Sequence, residues 1–343
     1  MEKIAYKEFL QETKTEKILN VSDVKSVIDA LLRGDDNGEY EEYEDVAYQN
    51  STRKKLRTVA DFFTNMELQI YGSVDDFHNC AVPYAKANMY DCACKVLERG
   101  LNGFDASIDL LSDYILYGIK CREYEKCEEY YKRLNMIPKR QWTWRAFSFS
   151  IDYLLDKANS ILDIGQRNVL QQTVTNLTDE FIVLIGTDQA YFDKAQVIRT
   201  FGSDNEETEE TVLYRGIDSL KSAPRCALRL SDILVDKGEY KEAARLIKKC
   251  CVNAFKPQPD INGSYSFLLS ALCNASWIFE EHLDRDYADC KDAIMEIYRD
   301  FNVALERGLE DIYQDAATTS IKVVAALTGY EYPYSNIDDR YEF

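Results

Sequence analysis

The stretch from Pro224 to Cys251 constrains the fold more than any other segment; it reads PRCALRLSDILVDKGEYKEAARLIKKCC. Its apolar residues recur at helical rather than alternating spacing on both sides of a short polar turn at residues 237–240. Gly238 is expected to end the first helix, because glycine adopts the left-handed conformation at low cost. Pro224 suits the first turn of a helix, and Ser222 is placed to cap it. The stretch therefore predicts two short antiparallel helices joined by a tight turn.

Small residues occur where the two helices of this hairpin must cross. Ser231 lies in the first predicted helix and Ala243 in the second. Because helices approach closely only where side chains are short, these two residues are predicted to lie at the crossing.

The hairpin resembles a tetratricopeptide repeat (TPR). That pattern has a leucine and a small residue spaced by three and four positions in the first helix, then alanine and a bulky residue in the second. The positions of this frame are occupied by Ala227, Leu230, Ser231, Leu234, Ala243 and Ile247. A second match begins near Ser73, where Tyr90 and Tyr124 occupy equivalent positions 34 residues apart (124 − 90 = 34), the period of the family.

The resemblance implies an all-α fold in which antiparallel helical hairpins stack as a TPR-like α-solenoid, or superhelix. Helices are expected around 142–158, 160–175 and 177–186. Near the N-terminus, Ser22 is expected to cap a helix. The predicted regions are an N-terminal helical cap (1–72), TPR-like repeats (73–140), divergent longer helices with an acidic linker (141–222), a TPR-like hairpin with C-terminal helices (223–328) and a polar tail (329–343).

Composition excludes several function classes. Glycine and proline are scarce, at 14 and 6 of 343 residues, which disfavours an all-β fold. The formal net charge of −19 opposes phosphate backbones and anionic membranes, so neither nucleic acid nor membrane is expected as a partner. The N-terminus has no apolar core of signal-peptide type, and no apolar run approaches membrane length. We therefore expect a cytoplasmic protein whose ten cysteines are thiols.

The residues that could carry chemistry do not form a recognisable catalytic or metal site. The pairs His78-x-Cys80 and Cys92-x-Cys94 are spaced by two, so on a helix their side chains point away from each other. The two histidines, His78 and His282, adjoin no known nucleophile motif, and no glycine-rich phosphate loop is present. The prediction is a protein without cofactor, metal or catalysis, with an enzyme of unrecognised acid–base residues as the weakest alternative.

A TPR-like array implies a concave groove lined by the first helices of the hairpins. The asparagine by which chaperone-tail binders of this family hold a terminal carboxylate is replaced by Val82, Leu116 and Asp232, so an acidic chaperone tail is not expected as a partner. By this alignment the side chains facing the groove are His78, Val82, Lys86, Asp109, Leu116, Lys120, Asp232 and Asp236.

The segment that follows the second predicted repeat carries aromatic and basic residues. Trp142 and Phe149 share one helical stripe with Tyr153, and Trp142 is predicted to lie on the more accessible side. Lys139, Arg140 and Arg145 would surround it, a mixture enriched at binding hot spots. Together with His78, Lys86 and Lys120 of the groove, these residues predict a surface that binds a protein or peptide. A peptide- or ligand-responsive regulator is the alternative, and the sequence leaves the oligomeric state open.

Overall fold

A computed structural model describes residues 6–15, 18–33, 46–202, 207–247, 268, 270–275, 291–306 and 311–329. These residues are mostly helical, which confirms the predicted all-α class. The chain divides into two compact units, residues 1–177 and 178–343. No helix in the described ranges is long and apolar enough to cross a membrane. The predicted polar tail, apart from Gly329, and His282 lie outside the described residues.

The first unit is built from consecutive helices and one small sheet. Strands β1 (Ile18–Asn20) and β2 (Gln69–Tyr71) pair in parallel, with Ile18 opposite Gln69. Short 3-10 turns occupy Phe62–Thr64 and Lys139–Gln141. The helices are α1 (Tyr6–Thr15), α2 (Val21–Arg33), α3 (Val46–Asp61), α4 (Val74–Lys86), α5 (Tyr90–Gly103), α6 (Ile108–Lys120), α7 (Tyr124–Asn135) and α8 (Trp144–Ser160).

One long helix, α9 (Ile164–Leu184), connects the two units along the chain. Two helices were predicted here, and that prediction is wrong because no glycine or proline lies between Gly165 and Gly186 to end a helix.

In the second unit, residues 268 and 270–275 are helical. The second unit contains α10 (Asp188–Phe201), α11 (Glu209–Ser219), α12 (Pro224–Asp236), α13 (Tyr240–Ile247), α14 (Lys291–Glu306) and α15 (Asp311–Thr328).

Three helical hairpins, α4/α5, α6/α7 and α12/α13, share one turn geometry. The middle residue of each three-residue turn is left-handed: Asn88 (φ 54°), Arg122 (φ 63°) and Gly238 (φ 78°). The residue after it donates a backbone hydrogen bond back into the preceding helix, which is the Schellman motif. These bonds are Met89 N to Tyr84 O (2.9 Å), Glu123 N to Gly118 O (2.9 Å) and Glu239 N to Leu234 O (2.8 Å). The prediction for Gly238 is thus confirmed.

The 34-residue offset recurs in the caps of the first unit. Ser73 and Ser107, which are 34 residues apart (107 − 73 = 34), cap α4 and α6 by accepting hydrogen bonds from backbone N–H groups. The same offset separates the partners of ion pairs between α3 and α5. Those pairs are Arg57 with Asp91 at 2.5 Å and Asp61 with Lys95 at 2.6 Å.

Small residues lie at the hairpin crossings, as predicted. The buried Ser231 hydroxyl donates to the carbonyl of Ala227 (2.7 Å) and to that of Ala243 (3.2 Å), joining α12 to α13. At the α6/α7 crossing, a Cβ added to Gly118 would lie 2.5 Å from Cys127 Sγ. Any larger side chain at either crossing would push the helices apart.

Two predicted helix caps are wrong. Ser222 does not cap α12; the Asp188 carboxylate accepts from the backbone N–H groups of Arg225 (2.7 Å) and Cys226 (3.0 Å) instead. Ser22 lies inside the first turn of α2, and its N–H donates to Asn20 Oδ1 at 3.0 Å. In both places a carboxylate or amide oxygen from outside the helix supplies the acceptor that the hydroxyl was expected to give.

Candidate functional site

A buried carboxylate connects three helices of the first unit. Asp113 lies on α6, and its side chain is 1% exposed. Its Oδ2 is 2.6 Å from Nδ1 of His78 on α4, and its Oδ1 accepts from Nη2 of Arg145 on α8. His78 is predicted for the groove and Arg145 for the segment after the second repeat, and the structure brings the two side chains together.

The protonation of this cluster follows from the donors and acceptors present. An ionised carboxylate only accepts hydrogen bonds, so Nδ1 of His78 carries a proton and donates a hydrogen bond to Asp113. Nη2 of Arg145 is 3.3 Å from that nitrogen, and both groups donate to the same carboxylate. His78 Nε2 and Arg145 Nε and Nη1 make no hydrogen bond to any residue in the described ranges.

These polar atoms can be reached from solvent. The side chains of His78 and Arg145 are 27% and 23% exposed. A buried partner fixes the positions of both side chains, and the remaining N–H groups of Arg145 are free to donate to an external acceptor. Such an arrangement suits a carboxylate, a carbonyl oxygen or another anionic group of a ligand.

Aromatic side chains adjoin the arginine on α8. Trp144 is 44% exposed, and its ring lies 6.1 Å from that of Phe149 in an edge-to-face arrangement. The guanidinium carbon of Arg145 is 5.8 Å from the Phe149 ring centre. We call Trp144, Arg145 and Phe149 the α8 patch. Exposed aromatic rings beside an arginine are typical of binding hot spots.

Trp142 is not part of this accessible surface, so the prediction for its exposure is wrong. It is 4% exposed, and its Nε1 donates to the Ile137 carbonyl at 3.1 Å. Lys139 Nζ lies 3.0 Å from its ring centre, and the Phe147 ring packs 5.1 Å away. The reason is that α8 begins at Trp144, so Trp142 precedes the helix and does not follow its stripe.

Tyr153 is likewise directed into the fold. It is 2% exposed, and its hydroxyl donates to Glu128 on α7. Lys157 Nζ reaches the same carboxylate at 2.5 Å. Burial acts to raise the pKa of Glu128, but the hydrogen bonds from Lys157 and Tyr153 outweigh it and lower that pKa to about 2. Tyr153 therefore holds α8 against α7.

The remaining predicted cations lie elsewhere on the first unit. Lys86 lines a cleft of about 430 Å³ between α2 and α4, together with Val82 and Lys25. Lys120 is exposed at the end of α6, and Arg140 is exposed in the 3-10 turn before α8. None of these three cations contacts the Asp113 cluster.

The predicted groove residue Asp232 belongs to the second unit. Burial raises the pKa of Asp232, and the nearby Lys322 and Arg229 only partly offset this. Its Oδ1 has no hydrogen-bond partner among the residues described. Arg229 donates through Nε to Glu209 at 2.7 Å. These groups form a separate polar region on α11, α12 and α15.

Sequence reasoning missed Asp113, which organises the site. A signal was present, because Asp113 is the one charged residue in the mostly apolar run LLSDYIL on α6. A charge at a buried helical position requires a partner of opposite charge.

Within the described residues, no group of three or more histidine, cysteine, aspartate or glutamate side chains could hold a metal ion. No protein-family model matches this sequence, and a comparison with curated proteins finds no significant match.

Proposed function

We propose that the hairpins of the first unit stack as a TPR-like α-solenoid. Three features support this arrangement: the shared turn geometry, the 34-residue offset and the sequential packing of α2, α4, α6 and α8. The second helices are linked in the same order, α3 to α5 by Arg57 with Asp91 and α5 to α7 by Glu98 with Lys126 at 2.5 Å. In such a stack, α4, α6 and α8 are the first helices of successive repeats.

The function that the site supports best is binding of a protein or peptide segment, without catalysis, at the α8 patch and His78. One observation carries it: buried Asp113 fixes Arg145 and His78 with unused nitrogens at the surface, beside exposed Trp144. A matching segment would place an apolar side chain against Trp144 and Phe149. It would direct a carboxylate or carbonyl oxygen towards Arg145.

Fixing the arginine before binding favours affinity. A free arginine side chain loses rotamer freedom when a ligand immobilises it, which costs roughly 0.5–1.5 kcal/mol. Here Asp113 and the Phe149 ring already restrict the guanidinium of Arg145. The free N–H groups of Arg145 also favour a segment that carries a carboxylate over a basic one.

The experiment is selection of peptides from a random displayed library on the full chain. Binders are then measured by fluorescence anisotropy against Trp144→Ala, Arg145→Ala and the control Met136→Ala, which removes another exposed apolar side chain (83% exposed). We expect both patch variants to weaken binding roughly tenfold or more, as hot-spot residues do. Failure to select any peptide, or equal affinity for all variants, would contradict the proposal.

A second candidate is acid–base chemistry at His78, favoured by its pairing with Asp113. A carboxylate that holds Nδ1–H leaves Nε2 placed to take a proton, as in hydrolytic dyads. We rank it below binding because no serine, threonine or cysteine in the described ranges hydrogen-bonds to His78. Loss of turnover of a panel of ester and amide substrates in His78→Gln would support catalysis, and no turnover by the unaltered chain would exclude these substrates.

A further inference from the structure

Two cysteines of the first unit lie sulfur to sulfur. Cys94 Sγ on α5 is 3.7 Å from Cys121 Sγ at the end of α6, although the residues are 27 apart in the chain. Cys94 is 2% exposed, whereas Cys121 is only half-buried. Cys121 is therefore the more accessible residue of the pair.

The surroundings make the two thiols chemically different. The hydrogen bond from Cys94 lowers the pKa of Cys121, and the hydrogen bond from the backbone N–H of Glu123 lowers it further. Burial and the negative charge of Glu123 act in the opposite direction but do not outweigh these bonds. The pKa of Cys94 is raised, because it donates to Cys121 and is buried. Cys121 is thus the sulfur that ionises first, and the thiolate is the reactive form.

We propose that Cys94 and Cys121 form a redox-active dithiol, which a hydroperoxide converts to a disulfide linking α5 to the α6/α7 turn. In the first step the Cys121 thiolate attacks the peroxide, so that an S–O bond forms and the O–O bond breaks. With hydrogen peroxide this gives a sulfenic acid and hydroxide (an alkoxide when the hydroperoxide is organic), and the leaving oxygen takes up the proton that Cys121 lost on ionisation. The Cys94 sulfur then attacks the sulfenic sulfur; the S–S bond forms, and water leaves with the Cys94 proton.

The geometry favours this pair over the other described cysteines. The sulfurs must approach from 3.7 Å to about 2.0 Å, and Cys121 lies at the helix end beside a turn instead of inside a helix. Cys92 lies two residues from Cys94 and points away from it. Burial raises the pKa of Cys92 to about 11 and that of Cys127 to about 12, which keeps these thiols protonated.

The test oxidises the full folded chain with a small excess of hydrogen peroxide, then blocks free thiols and digests with trypsin without reduction. Cleavage after Lys86, Lys95, Lys120 and Arg122 should give peptide 87–95 joined to dipeptide 121–122. Because peptide 87–95 also contains Cys92, the experiment is repeated in Cys92→Ser, where the link should persist. A reductant should reverse it, and circular dichroism should show unchanged helix content.

Two further variants separate the roles of the sulfurs. Cys94→Ser should lose the link and accumulate a sulfenic acid at Cys121 that dimedone traps, whereas Cys121→Ser should give neither product. The proposal is overturned if the link disappears in Cys92→Ser or forms only in urea. It is also overturned if Cys121 of the folded chain is oxidised to sulfinic acid without any link. This inference does not depend on the proposed binding function.

Discussion

Nδ1 of His78 lies 2.6 Å from the carboxylate of Asp113, 35 residues further along the chain. The pair joins α4 to α6 across nearly the same 34-residue offset that separates the capping serines of these two helices, and Arg145 extends the contact to α8. A single buried acid on α6 thus orients two hydrogen-bond donors, one on α4 and one on α8. The candidate site and the packing of these helices therefore depend on the same residue.

Replacing Asp113 by asparagine should destabilise the chain by about 2–3 kcal/mol, because hydrogen bonds to charged groups are lost and the Arg145 charge loses its partner. The free energy of unfolding from urea titration measures this. The matched control is Asp109→Asn, one turn earlier on α6 and half-buried. A loss at Asp113 no larger than that at Asp109 would show that the cluster contributes nothing to stability.

The contact of Glu128 with Lys157 and Tyr153 should make stability depend on pH. The pKa of Glu128 is lowered from its ordinary value of 4.5 to about 2 in the folded chain, so the unfolded state binds the proton more readily. The stabilisation is fully present above pH 4.5 and is lost as the pH falls towards 2. Compared with Glu128→Gln, the unaltered chain should be more stable at pH 7, and the difference should shrink in acid. The control variant is Glu129→Gln, at a neighbouring exposed position, and an equally large change with pH in that variant would contradict the prediction.

The cap of α12 should be sensitive to Asp188 and insensitive to Ser222. Asp188→Ala removes the acceptor for two backbone N–H groups and should cost about 1–2 kcal/mol, as the loss of a helix cap does. Asp188→Asn keeps one acceptor oxygen and should cost less. Thermal unfolding followed by circular dichroism compares them with Ser222→Ala. If Ser222→Ala were the more harmful change, the assignment of the cap would be incorrect.

The two tryptophans at the start of α8 should behave in opposite ways. Trp142→Ala should lower stability by about 3–5 kcal/mol, because it empties a buried, hydrogen-bonded position. Trp144→Ala removes a ring that is 44% exposed and should change the unfolding free energy much less. Urea titration of both variants checks this. A Trp144 variant as unstable as the Trp142 variant would place Trp144 in the core and remove the basis of the α8 patch.

The sequence by itself determined the features that depend on near neighbours in the chain. The turn at Gly238, the crossing of Ser231 with Ala243 and the predominantly helical fold follow from residue type and spacing within a few tens of residues. Such features could be predicted because helical periodicity and glycine conformation act locally. The left-handed Arg122 could not be predicted in this way, since an arginine adopts that conformation only where the surrounding hydrogen bonds impose it.

Only the tertiary structure decided which side chains meet across helices. Periodicity indicates that a residue such as His78 or Cys94 lies on a given face of its helix, but not which residue of the neighbouring helix it contacts. Three contacts show this: Asp113 with His78 and Arg145, Trp142 with Ile137, and Cys94 with Cys121. Each depends on how far one helix is displaced along its neighbour and on where that neighbour begins or ends. Helical periodicity did not predict the burial of Trp142, because α8 begins only at Trp144 and Trp142 lies before it.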